Sequence, residues 1–188
     1  LQNAGARVLI TFKEVERIAG LLVHQVPSLD TVVRPDTIVA EPSVPVSIDS
    51  SDGALIQYTS GSTGLPKGVF LTHANLLANI RALVQRLEMG SDDVGISWLP
   101  LYHDMGLIGA WLGTFYVGAP LALMSPLAFL ARPVRWLQAF EQYHGTIAAA
   151  PNFAYDLCTT RITDSELEGL NLSSARVLLN GAETVSPD

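Results

Sequence analysis

Cysteine is almost missing from this chain. Cys158 is the one thiol among 188 residues, so an internal disulfide is excluded. A lone thiol fits a reducing compartment, and the expected location is cytoplasmic. No base stands near Cys158 in residues 155–160 to activate it, so it reads as a small core residue. Charge is scarce as well: charged residues make up 15% and the net charge is −7. Basic patches that could neutralise phosphate backbones are therefore not expected, which argues against nucleic acid and against an anionic membrane surface as partners. The chain has no initiator Met, no basic start and no apolar leader, so no signal peptide is read. Its first and last residues read instead as cuts through a longer protein. Internal repeats and low-complexity tracts are lacking too. Residues 105–131 carry no charge and exceed the roughly 20 apolar residues of a membrane span. Gly106, Gly109, Gly113, Gly118, Pro120 and Pro126 punctuate that run. A helix, a turn at residues 118–120 and a buried strand account for it better, so no transmembrane segment is expected.

What is present is a globular composition. Hydrophobic residues make up 48%, and 188 residues suffice for one domain with a core. Strand and helix patterns alternate. Residues 7–12 read as a short buried strand, and 13–25 as a helix with Val15, Ile18, Ala19 and Leu22 inward. Residues 30–33 and 37–40 read as strands, and 41–52, with Pro42 and Pro45, as a surface connection. Thr72 is a good N-cap for a helix running to about Glu88, with Leu76, Leu77, Ile80, Leu83, Val84 and Leu87 on one face. Strands follow at 94–99, 120–124, 146–150 and 176–179. Between them fall a helix ending near Val117, a turn at Ser125-Pro126, and a helix begun by Arg132-Pro133 with Val134, Leu137 and Phe140 inward. A helix containing Phe153 and Leu157 comes next, then a polar connection at 164–171. Such alternation predicts a doubly wound, mainly parallel α/β sheet.

The most informative stretch is Tyr58-Thr59-Ser60-Gly61-Ser62-Thr63-Gly64-Leu65-Pro66-Lys67-Gly68, set between the apolar runs 54–56 and 69–71. It reads as strand, glycine-rich polar loop, strand. Glycines let the backbone approach a ligand, converging N–H groups and hydroxyls can bind an anion, and Lys67 adds a positive charge. That chemistry suits nucleotide phosphates. The P-loop pattern fails, because Lys67 lies between Pro66 and Gly68. The hydrolase elbow fails too, because Ser60 stands where the first glycine is required.

The ordered motif at Thr59 to Gly68 resembles the signature loop of the adenylate-forming superfamily. That superfamily includes acyl-CoA synthetases, peptide-synthetase adenylation domains and fatty acyl-AMP ligases. Pro100-Leu101-Tyr102-His103-Asp104-Met105-Gly106-Leu107-Ile108-Gly109 resembles its second signature, in the wording of the fatty acyl-AMP ligases. Taken by itself, His103-Asp104 at a strand-to-helix junction is equally a packing histidine beside a helix cap. Asn180-Gly181-Ala182-Glu183 is similar to the adenine-contacting turn of the same ligases, although the string would also serve as an ordinary β-to-α turn. Thr184 stands where proline is more usual.

The resemblance implies the following. Residues 1–188 would be a fragment of the large AMP-binding N-terminal domain, without the small C-terminal domain and its catalytic lysine. Thr59, Ser60, Gly61, Ser62, Thr63, Gly64 and Lys67 would hold the β- and γ-phosphates of ATP. His103 would steer the acid or stabilise the phosphoryl transition state, making His103 and Lys67 the catalytic candidates. Gly181 and Ala182 would face adenine, with Glu183 beside them among the nucleotide-binding residues, and Pro151, Asn152 and Phe153 would border the acyl pocket. Mg2+ would bridge phosphates, with no metal ligand assigned in this chain. The implied reaction joins a fatty acid to AMP and releases pyrophosphate. The acyl group then passes to the phosphopantetheine of an acyl carrier protein, or to coenzyme A in a synthetase. An amino-acid adenylation domain and a non-catalytic nucleotide- or acyl-binding module are the alternatives. The fragment alone is expected to be inactive.

Overall fold

The computed structural model describes residues 1–39, 44–59 and 66–185. The chain divides into two units, Leu1–Phe70 and Leu71–Asp188.

In the first unit, β1 (Val8–Ile10) and β2 (Thr31–Val33) pair in parallel, Val8 opposite Thr31. A parallel pair needs a crossover, which α1 (Lys13–Leu21) and a 3-10 turn at Leu22–His24 supply. The expected strand and helix are thus shorter than read. Nor is the strand buried, since Val8 and Ile10 are exposed. On α1 Ala19 is buried, whereas Ile18 faces outward. The strand expected at 37–40 is replaced by a 3-10 turn at Pro35–Thr37. Pro35 fixes φ at the first position, and the Thr37 hydroxyl donates back to the Arg34 carbonyl, which bends the backbone away from a strand. Ala40 lies outside the described residues. The described part of the connection, residues 44–52, is exposed.

β3 (Gly53–Thr59) pairs with β4 (Lys67–Thr72). A seven-residue connection is too short for a parallel crossover. The side chains agree: Phe70 lies over Gly53, while Ile56 and Tyr58 lie over Gly68, so the strands run in opposite directions.

The second unit opens with α2 (His73–Leu87). The Thr72 hydroxyl accepts the Asn75 N–H, and the Asn75 side chain accepts the Thr72 N–H, completing the predicted cap reciprocally. Its sheet holds β5 (Gly95–Ser97), β6 (Leu121–Leu123), β7 (Ile147–Ala150) and β8 (Val177–Asn180), in the order β6-β5-β7-β8 and all parallel. A π-helical segment, Met105–Leu112, runs into α3 (Gly113–Val117) between β5 and β6. Between β6 and β7 lie α4 (Pro126–Ala131) and α5 (Val134–Tyr143). After β7 come α6 (Asn152–Arg161) and α7 (Asp164–Leu167).

Two helices replace expected turns. At α4 the Ser125 hydroxyl accepts the Leu127 N–H and Pro126 occupies the first helical position, so a Ser-Pro pair read as a turn begins a helix. At α7 Thr163 and Glu166 form a capping box in the stretch read as polar connection.

The core is aromatic. Trp98 stacks on Phe129 with ring centroids 4.2 Å apart and planes 7° from parallel, and Trp136 meets both rings edge-on. Phe140 and Tyr155 close around Trp136. Room for these rings comes from Ala148, Ala150 and Ala154, all buried in the same cluster.

Candidate functional site

The strand order locates the crevice in the second unit. From β5 the chain crosses to β6 on one side, and from β7 it crosses to β8 on the other. Adjacent parallel strands whose connections leave in opposite directions form a switch point, and ligands bind beyond the strand C-termini there. The residues beyond β5 lead to His103. Those beyond β7 are Pro151, Asn152 and Phe153, and those beyond β8 are Gly181, Ala182 and Glu183. The sequence reading named residues on all three connections.

His103 lies just before the π-helical segment, with half its side chain exposed. Its Nδ1 is 2.8 Å from Asp104 Oδ1. The Met105 N–H lies 3.3 Å from the same Nδ1 but only 2.6 Å from Asp104 Oδ1. Of the two, the short contact to the carboxylate is the stronger. With Nδ1 turned toward Asp104 and the Met105 amide, Nε2 is the ring nitrogen left for a ligand. Asp104 therefore both caps the helix and orients the histidine. The Gly106 backbone packs directly against the Pro100 carbonyl oxygen, on which a Cβ would fall. That contact folds the His103 turn back onto the end of β5.

Beyond β8, Ala182 takes a left-handed φ of 71°. The turn around it is pinned to the β7–α6 junction by several bonds. Gly181 N–H donates to the Ala150 carbonyl at 3.2 Å. Asn180 Nδ2 donates to Asn152 Oδ1 at 3.0 Å, and Phe153 N–H donates to Glu183 Oε1 at 2.8 Å. The Tyr155 hydroxyl donates to the Leu179 carbonyl, and burial raises its pKa above the ordinary value. A Cβ built on Gly181 meets nothing within 4 Å, so its backbone is open to a planar ligand. Phe153 holds its ring 6.0 Å from Trp98, at 66°, with 41% of the residue exposed.

In the first unit, Thr59 ends β3 and Lys67 begins β4, and both are exposed. Ser60, Gly61, Ser62, Thr63 and Gly64 lie outside the described residues. Cys158, read as a small core residue, is half-buried and forms no disulfide, and burial pushes its pKa up to about 11. No group of three or more His, Cys, Asp or Glu that could hold a metal ion occurs among the described residues. Among them, too, no helix is long and apolar enough to cross a membrane.

A family model described as AMP-binding enzyme matches residues 1–188. The chain belongs to this family. It is 45% identical over 139 residues to the medium-chain-fatty-acid–[acyl-carrier-protein] ligase TtuA of Teredinibacter turnerae, covering 74% of this chain and 22% of that protein. It is 36% identical over 197 residues to the probable long-chain-fatty-acid–AMP ligase FadD30 of Mycobacterium tuberculosis, covering 99% of this chain and 34% of the relative. Among solved structures, the fatty acyl-adenylate ligase of L. pneumophila in complex with acyl adenylate and pyrophosphate superposes with a TM-score of 0.84. The two share 37% identity, over 98% of this chain and 32% of that one. The chain thus spans between about a fifth and a third of the length of these relatives. Its mainly parallel α/β architecture is that of the family.

What sequence reading missed is the contact between two of its own candidates. The resemblance places Glu183 with the nucleotide; in the structure its carboxylate accepts the Phe153 N–H. A signal existed: Pro151 before α6 has no side-chain acceptor, so that helix needs a cap from elsewhere.

Proposed function

We propose that the protein of which these residues form part activates a fatty acid with ATP, giving acyl-adenylate and pyrophosphate, for transfer to an acyl carrier protein. The observation that carries this reading is the switch point, with His103 on one connection and the open Gly181-Ala182 turn two strands away. The relatives named as fatty-acid ligases support the substrate class. On this reading Gly181 and Ala182 face adenine. Thr59, Ser60, Gly61, Ser62, Thr63, Gly64 and Lys67 receive the β- and γ-phosphates. His103 offers Nε2 to the reacting centre. No general base is required, because a carboxylic acid with pKa near ~4 is already ionised at neutral pH. His103 serves instead to orient the acid and balance charge at phosphorus.

Mg2+ would accompany ATP, as a hard cation suited to phosphate oxygens, and no metal ligand is assigned in this chain. The protein is assigned to the cytoplasm. Residues 1–188 are assigned to the large N-terminal domain, with a small C-terminal domain supplied by the remainder.

ATP–pyrophosphate exchange by the full-length protein, with fatty acids and amino acids compared, tests the reading. Fatty-acid-dependent exchange is expected. Lys67→Ala and His103→Ala should each lower it at least ~100-fold, the scale for removing one electrostatic contact to a transition state. Adding CoA or carrier protein then separates synthetase from ligase. No exchange with any acid would sink adenylation and leave a binding module.

A further inference from the structure

We propose that Glu183 is a positioning residue that couples the adenine-facing turn to the first turn of α6, rather than a ligand of the nucleotide. The proposal rests on the adenylation reading for its consequence, and on geometry for the contact itself.

The first N–H groups of any helix lack partners within it and need an acceptor from outside. At α6 the N-cap is Pro151, which makes no side-chain hydrogen bond. Ala154 N–H reaches the Pro151 carbonyl at 3.0 Å, but Phe153 N–H has no such local acceptor. Glu183, thirty residues on, supplies one: its Oε1 accepts the Phe153 N–H at 2.8 Å. A carboxylate there is favoured twice, by the charge-assisted bond and by the positive end of the helix dipole.

The turn that delivers this carboxylate is strained. Ala182 sits at a φ of 71°, a region an alanine visits at a cost. Such a conformation persists when its surroundings over-determine it, and here they do. Gly181 N–H to Ala150 O and Asn180 Nδ2 to Asn152 Oδ1 fix the turn on one side of Ala182, while Glu183 fixes it on the other. Without Glu183, nothing in this set holds Ala182 from its C-terminal side.

The helix so capped carries Phe153, whose ring leans on Trp98 at the end of β5. A shift of the adenine-side turn would thus be transmitted to the Phe153 backbone and its exposed ring. The two halves of the substrate, nucleotide and acid, are placed by a single hydrogen-bonded unit.

The test compares Glu183→Ala and Glu183→Gln in the full-length protein. Glutamine keeps an oxygen that can accept the Phe153 N–H, whereas alanine does not. Two readouts are taken: hydrogen exchange at the Phe153 amide, and KM for ATP and for fatty acid in pyrophosphate exchange. Glu183→Ala is expected to speed Phe153 exchange about tenfold and to raise both KM values together by a similar factor. That is the order of a lost helix cap. The turnover per folded enzyme should stay within about twofold. Glu183→Gln should recover most of each, short of the part owed to the charge. A merely structural loss would instead reduce folded enzyme and leave both KM values alone, overturning the proposal. Glu183→Gln as damaging as Glu183→Ala would overturn it also, because the hydrogen bond to the Phe153 N–H, which glutamine can still accept, would then contribute nothing. Unchanged Phe153 exchange in Glu183→Ala would remove the contact itself. If the wild type catalyses no exchange, the adenylation reading fails alone, and Phe153 protection with ATP affinity still decides the coupling.

Discussion

At the scale of single residues, environment separates reactive groups from inert ones. Cys158 lies half-buried on α6 beside the aromatic cluster, and desolvation lifts its pKa to about 11. Thiolate is the reactive form, so little of it exists at neutral pH. Iodoacetamide at pH 7.5 should therefore label the folded protein at least ~10-fold more slowly than the urea-unfolded one, as read by mass spectrometry, since a pKa near 8.5 returns on unfolding. Equal rates would show Cys158 to be exposed. The reading of this thiol from its sequence neighbours was adequate, because it needed only the absence of a base. The partner of Glu183 was not legible in the same way: which donor its carboxylate meets depends on Phe153, brought close by the pairing of Ala150 with Asn180.

At the scale of elements, the connection after β5 shows how a backbone shape serves a side chain. Asp104 caps the π-helical segment, and Gly106 lies against the Pro100 carbonyl. A π-helical turn is an uncommon geometry that recurs at functional sites. Gly106→Ala would force a methyl into that carbonyl oxygen, and backbone cannot yield as a flexible side chain can. A stability loss of about 1–3 kcal/mol is expected from such overpacking. Displacement of His103 should also lower turnover, measured per folded enzyme. Normal turnover in a folded Gly106→Ala variant would separate the glycine from the His103 geometry. From sequence this region was legible as an apolar helix after a proline. Its π-helical winding and the reason for Gly106 were not, because both depend on what the segment packs against.

At the scale of the whole second unit, one buried carboxylate fastens the edge of the sheet opposite the crevice. Asp93, just before β5, accepts the Thr146 hydroxyl at 2.6 Å, the Gly90 N–H at 2.9 Å and Arg176 Nη2 at 2.9 and 3.0 Å. Arg176 also donates to the Leu87 and Glu88 carbonyls at the end of α2. The starts of β5, β7 and β8 and the C-terminus of α2 are thereby joined. Burial raises the pKa of Asp93, but the hydrogen bonds from Thr146, Gly90 and Arg176 outweigh it and hold the carboxyl below its ordinary value. A depressed folded pKa contributes stability above the unfolded value near ~4, and this is lost as pH falls through the folded value. Arg176→Ala should cost about 1–3 kcal/mol at pH 7 by urea unfolding, between an exposed and a buried pair, because Arg176 is 40% exposed and water screens it. The deficit should shrink below about pH 4, as Asp93 takes up a proton. A deficit independent of pH would assign the loss to the α2 carbonyls instead.

The sequence by itself determined what is local. Residue order at Thr59 to Gly68 carried the resemblance to the family, Thr72 and Asn75 wrote the cap of α2, and periodicity announced alternating strands and helices. These depend on neighbours within a turn or a strand, where spacing translates directly into contact. Tertiary structure alone decided what is distant. The order β6-β5-β7-β8, and with it the crevice between the ends of β5 and β7, follows from crossovers that no periodicity encodes. Asp93 meets Arg176 across 83 positions and Glu183 meets Phe153 across 30. Such partners are chosen by strand register and by buried groups that must find an acceptor, and only the folded chain supplies both.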